Sequence, residues 1–274
     1  MVATERLFTP SAFEGLRLIR RKLLENPEMV IADIVTAILA TEPDAPSLDL
    51  DASCELHEIV VVCDLEMQSF YRHCIRGVIL TRFPVWVKTI RRGRLVFAAK
   101  LDTDDYSIFD NAGLLLNPPA ADVVEWWDTI GHEVKLETDL EKMAQARAAE
   151  KLTWEVEKAR LLELGIEVDP VWVGLDDNTA GYDILSYELG EPENTNKLIE
   201  VKSTTASPLR FYVTRNEWNQ ALKSKAVYFF HIWDMQQEPP KLYVRTVDQV
   251  EPHIPSDNEK GKWSNAEILV GAVQ

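Results

Sequence analysis

The chain has 274 residues, 46% hydrophobic and 27% charged, an ordinary globular composition with room for one large domain or two modest ones. Its net charge of −16 argues against a surface devoted to nucleic acid. No apolar run is long enough to cross a bilayer, and the N-terminus has no signal-peptide hydrophobic stretch.

Three cysteines make no disulfide framework, so a reducing cytoplasm is the expected setting. Charge is segregated along the chain. Between Met67 and Lys100 stand eight basic residues (Arg72, Arg76, Arg82, Lys88, Arg91, Arg92, Arg94 and Lys100) and no acidic one, leaving the remainder strongly acidic.

In chain order, Ser11 and Glu14 have capping-box spacing after Pro10, and Phe13, Leu16, Ile19 and Leu23 recur at helical intervals. A second helix is expected from about Glu28 to Leu39, then an acidic, proline-containing loop. The run 59–63 reads as a short buried strand or as helix. Met67 to Leu80 has helical spacing. Trp86–Ile90 and Leu95–Ala99 flank Arg91-Arg92-Gly93-Arg94, the pattern of a β-hairpin with a basic tip. After Asn117-Pro118-Pro119, a short helix is expected over Ala121–Ile130. Residues 1–130 therefore read as a smaller α+β module resembling a winged helix, for binding nucleic acid or a partner.

Residues 138–274 read as a second domain. Thr138 and Glu141 form another capping-box spacing, and Gly165 is a natural stop, giving a helix of about 26 residues. Strands are expected at Val171–Val173, Gly181–Tyr187, Leu198–Ser203, Phe211–Val213, Ala226–Trp233 and Lys241–Arg245. A short helix is expected from the cap Thr214/Glu217 through Trp218 and Leu222. Residues 251–274 read as an extended tail docked on the sheet. This order suits an α/β (α+β) arrangement, a mixed sheet with helices on its faces.

The candidate site comes from two of these strands. In Leu198-Ile199-Glu200-Val201-Lys202-Ser203, Glu200 and Lys202 emerge on one face while Ile199 and Val201 point to the other. The turn over residues 190–196 folds this run back on Gly181–Tyr187, which could bring Asp183 beside Glu200. Two carboxylates and an ammonium at one spot suit a hard cation. The plainer alternative is a strand-start Asp and a surface Glu–Lys pair. Cys54, His57, Cys63, His73 and Cys74 share a 21-residue span, but only Cys54 and His57 approach the tight pairing of a zinc site. The chain has no Gly-rich phosphate loop, G-x-S-x-G elbow or H-E-x-x-H.

Asp183, sixteen intervening residues, and Glu200-Val201-Lys202 resemble the PD-(D/E)xK nuclease signature. The wording Gly-Tyr-Asp-Ile-Leu-Ser-Tyr followed by Ile-Glu-Val-Lys-Ser is most similar to the domain that closes the plant NO VEIN protein, a domain also found in bacterial defence proteins. The similarity spans about residues 139–250. Tyr182 stands where the signature has Pro. The resemblance implies a restriction-endonuclease-like fold and a Mg²⁺ (or Mn²⁺) ion held by Asp183, Glu200 and the Val201 carbonyl. Lys202 would orient water or neutralise the transition state, and Glu150 would fill the role of the family's helix glutamate. It further implies DNA as substrate, hydrolysed by an endonuclease in anti-phage defence. One such site cuts one strand, so double-strand cleavage would need a homodimer, partner subunits or two binding events. Candidate nucleic-acid contacts are Ser203 and Thr204, with Lys88, Arg91, Arg92 and Arg94 on the basic tip. The alternative is a catalytically silent nuclease-fold subunit that binds nucleic acid or a partner.

Overall fold

The computed structural model describes residues 1–61, 64–177, 179–257 and 261–273. The chain divides into two compact units, Met1–Asp139 and Leu140–Gln274.

The described residues of the first unit form helices and no strand: α1 (Thr4–Leu7), α2 (Pro10–Glu25), α3 (Ile31–Thr41), α4 (Leu50–Ile59), α5 (Met67–Arg82), α6 (Arg94–Ala98), α7 (Thr103–Asn111) and the first part of α8 (Ala121–Glu163). This corrects the α+β, winged-helix-like expectation. Where a basic hairpin was expected, Val85–Arg92 is a 3₁₀ segment, and α6 follows directly after Gly93. The reason is burial. Val87, Ile90 and Phe97 are the buried residues, at intervals of three and seven, whereas a strand would have put Lys88 on the same face as Ile90. They join an aromatic core in which Phe109 stacks on Trp127 at 5.8 Å and Phe97 meets Trp86 and Phe109. Of the run 59–63, Ile59 ends α4, and Val62 and Cys63 lie outside the described residues.

Two caps differ from expectation. Thr9, not Ser11, caps α2, its hydroxyl accepting from the Ala12 N–H at 3.2 Å, with Pro10 in the first turn. Thr138 starts no helix; its hydroxyl donates to the Val134 carbonyl at 2.7 Å inside the continuous α8. Spacing shows that a hydroxyl can cap, but Thr138 lies inside a continuous helix with no end to be capped, so its hydroxyl bonds the carbonyl four residues back.

The second unit is built on a five-stranded sheet in the order β1-β2-β3-β5-β6. The strands are β1 (Val171–Trp172), β2 (Ile184–Glu188), β3 (Thr195–Thr204), β5 (Tyr228–Asp234) and β6 (Lys241–Thr246). β3 and β5 are parallel and the other pairs antiparallel. The crossover between β3 and β5 carries β4 (Arg210–Thr214) and α10 (Arg215–Lys223), while α9 (Val173–Asp176) and α11 (Val247–Val250) are single turns. The tail, expected to dock on the sheet, does not join the mixed sheet as a strand. It supplies β7 (Asn265–Leu269), antiparallel to β4 in a separate two-stranded sheet.

The sheet is covered on both faces, as a mixed sheet with a parallel pair requires. Ile184, Ile199, Val201 and Trp233 pack against Ala149 and Leu152 of α8. Leu198, Tyr228, Phe230 and Ile232 pack against Trp218 and Ala221 of α10. This mixed α+β architecture is the one expected for a restriction-endonuclease-like domain. No helix among the described residues is long and apolar enough to cross a membrane.

Candidate functional site

β2 and β3 form the expected hairpin, Ile184 opposite Ile199 and Glu188 opposite Thr195. β2 begins at Ile184, so β3 runs on past its partner from Glu200 onward. Asp183 fills the first place beyond the ladder. Its Oδ2 accepts the Val201 N–H at 2.7 Å, and its own N–H donates to the Ile199 carbonyl at 2.9 Å. The Asp183 carboxylate therefore sits against the backbone between Glu200 and Val201. The Val201 carbonyl points to the same strand edge as its N–H. Gly174 is the residue that permits this placement, since a Cβ there would lie 2.8 Å from Asp183 Oδ1.

Glu200 and Lys202 emerge together on the α10 face, where Lys202 Nζ donates to Glu200 Oε1 at 2.7 Å and to Glu217 Oε2 at 2.8 Å. Glu217 belongs to α10. It completes the capping box with Thr214, accepting the Thr214 N–H at 2.9 Å. Sequence reasoning assigned Glu217 to the cap alone. The cap is present in full, and the spacing that announces it says nothing of the second partner. Tyr228 was not foreseen either; its hydroxyl donates to the Gly181 carbonyl at 2.7 Å and lies 3.4 Å from Glu200 Oε2.

The electrostatics are those of a site short of positive charge. Burial pushes the Asp183 carboxyl up to about 6, with Glu150 and Glu217 adding to the rise and the Val201 N–H opposing it. Burial likewise raises Glu200 well above the carboxylate range, although Lys202 opposes it. Burial disfavours the charged form of Lys202, but the carboxylates of Glu200 and Glu217 outweigh it and raise the ammonium's pKa. Lys202 is thus held as a cation, suited to stabilising negative charge and unsuited to removing a proton.

Glu150 is buried on α8 and accepts from Arg147 at 2.7 Å and Trp172 Nε1 at 2.6 Å. Its charge acts on Asp183. No hydrogen bond or ion pair among the described residues joins it to Glu200 or Lys202, because α8 covers the opposite face of β3. At the end of β3, Ser203 Oγ accepts from Gln145 at 3.1 Å, and Thr204 Oγ1 accepts the Ala206 N–H at 3.1 Å. Both line a groove of about 600 Å³ with Lys142, Arg210 and Tyr212.

Residues 149–245 match the family described as Protein NO VEIN, C-terminal. This matched segment is similar to the NO VEIN C-terminal domain. It contains Glu150, Asp183, Glu200, Lys202 and Glu217, and it stops before β7. Neither curated proteins nor solved structures yield a further match to the chain.

The donor set of the matched segment is of the kind that a magnesium-type ion takes. Asp183, Glu200 and the Val201 carbonyl are hard oxygen donors, two of them desolvated acids without enough positive charge beside them. Among the described residues no group of three or more His, Cys, Asp or Glu side chains forms a metal cluster. So sparse a set suits Mg²⁺, which retains waters and takes few protein oxygens, better than a full protein cage.

The basic residues of the other unit are differently placed. Arg72 pairs with Asp122 at 2.7 Å, and Arg76 and Arg82 pair with Glu133 and Glu55. Lys88 stands 5.6 Å over the Phe83 ring, and Arg94 donates to the Leu116 carbonyl at 2.7 Å. Arg91 and Arg92 are exposed at the end of the 3₁₀ segment. Much of the basic run neutralises the unit's own acids rather than forming one continuous track.

Proposed function

We propose that the second unit hydrolyses phosphodiester bonds of DNA as a metal-dependent endonuclease. One observation carries the reading: Lys202 is held as an ammonium on the strand face of Glu200, with the Asp183 carboxylate docked at the adjoining peptide. Asp183, Glu200 and the Val201 carbonyl would hold Mg²⁺, which when bound supplies positive charge to the reacting phosphate. Lys202 places a second cation beside that phosphate and stabilises the charge that develops there. Glu217 positions Lys202, and the charge of Glu150 adds to the rise in the Asp183 pKa. The anti-phage setting rests on the family resemblance.

The test is nicking of supercoiled plasmid with Mg²⁺ or Mn²⁺. Cleavage should vanish with EDTA and fall by about a hundredfold or more in Asp183→Ala, Glu200→Ala and Lys202→Ala. Full activity in any of the three would reject the assignment.

A second reading draws on the clamp itself. Lys202 is shared by two carboxylates, an arrangement that also suits a binding subunit without turnover. Saturable DNA binding with no nicking under any metal would favour it.

A further inference from the structure

In the first unit, a cavity of about 540 Å³ lies between the 3₁₀ segment and the first part of α8, well within the ~300–1,000 Å³ range of small-ligand pockets. Its wall is in part apolar, from Ile90, Val124 and Trp127, and in part cationic, from Arg91, Arg94 and Lys135. Arg6, Arg72, Arg76 and Arg82 each pair with a carboxylate, whereas no carboxylate pairs with Arg91 or Lys135 among the described residues. Arg21 and Arg92 of the unit likewise have no carboxylate partner among the described residues, but neither lines the cavity.

A second observation is independent of charge. Gly131 lines the same cavity from within α8. Glycine inside a helix costs stability relative to alanine, and a close neighbour is the usual reason to tolerate it. Here a Cβ would meet nothing within 4 Å. No protein atom explains the missing side chain; the space it leaves belongs to the cavity.

We infer that this cavity binds a nucleoside phosphate. The apolar wall around Trp127 suits an aromatic base, and Arg91 and Lys135 suit the phosphate. Asp128, also on the wall, is an acceptor-only group that suits ribose hydroxyls. That carboxylate, and the bounded volume, favour a mononucleotide over a polynucleotide strand.

The experiment is titration calorimetry on the full chain with AMP, ADP and ATP, with adenosine, inorganic phosphate and single-stranded oligonucleotides as comparisons. At least one nucleotide should bind saturably, with adenosine and phosphate each about tenfold weaker or more. Arg91→Glu and Lys135→Glu should each weaken binding about tenfold or more. Gly131→Leu should abolish binding without lowering the melting temperature, and Gly131→Ala should retain it. If Gly131→Leu does not fold, the two charge reversals decide. The inference is overturned by no binding of any nucleotide at millimolar concentration, by phosphate alone binding as well, or by variants that bind like the parent. Affinity for oligonucleotides that grows with their length would also overturn it, marking the wall as a nucleic-acid track.

Discussion

Strand β3 carries two buried lysine–carboxylate pairs, one on each face, and they are built in opposite ways. On the α8 face, Lys197 Nζ donates to Glu157 Oε1 at 2.8 Å. The other oxygen of Glu157 accepts from Ser186 at 2.7 Å and from Arg160 at 2.7 and 2.9 Å. Burial would raise the Glu157 carboxyl, but those donors more than offset it and hold it below the usual range. On the α10 face, Glu200 has one strong donor, Lys202, which Glu217 shares, and its carboxyl is driven up. A buried acid with its lone pairs filled is a clamp between helix and sheet. A buried acid left short of donors, with the Asp183 carboxylate docked at the next peptide, is the electrostatic pattern on which the proposed function draws.

The largest effect should come from breaking the clamp. Glu157→Ala leaves Lys197 and Arg160 only the more exposed Glu188 as a carboxylate partner, at 3.6 and 2.9 Å, and should cost about 3 kcal/mol in urea unfolding. A loss under about 1 kcal/mol would show that the pair is not what ties α8 to the sheet.

The next effect concerns His231, which faces the same cluster. It is 1% exposed, its two ring nitrogens have no hydrogen-bond partner among the described residues, and Nε2 lies 3.9 Å from Glu157. Burial, with Lys197 and Arg160 nearby, lowers its pKa to about 4, against the pull of Glu157. Because the unfolded chain takes up this proton first, stability present above the ordinary value near 6.5 is lost as pH falls towards 4. The full loss is about 3 kcal/mol. His231→Gln should flatten that part of the stability–pH curve; an unchanged slope would assign it to other groups.

The smallest effect sharpens the contrast from the other side. Glu200→Gln removes a carboxylate whose ionised form the fold disfavours, and Lys202 keeps Glu217. Stability without added metal should rise by about 1 kcal/mol at neutral pH, and the proposed cleavage should be lost. A destabilisation like that of Glu157→Ala would mean that the two pairs are equivalent.

Legibility followed the range of the interactions involved. Period-two alternation placed Glu200 and Lys202 on one face, and the turn residues near 190 placed Asp183 opposite the start of that pair; both are local. The same alternation misled at Trp86–Ala99, where short apolar runs fit either period and burial in an aromatic core decided for helix. Glu150 and Glu157 are both acids on one helix, and nothing in their spacing tells their roles apart. Only the sheet beneath α8 shows that one is saturated and the other acts on Asp183.

By itself the sequence determined the order of the second unit's strands through β6, the hairpin and the residue types of the site, because backbone periodicity and turn chemistry act over a few residues. The tertiary structure alone decided that Glu217 and Tyr228 join the site and that the first unit is helical among its described residues. It also decided which of the two lysine–carboxylate pairs is left short of donors. Those outcomes depend on which side chains from distant segments share a desolvated volume, and there the cost of an unpaired charge depends on every neighbour at once.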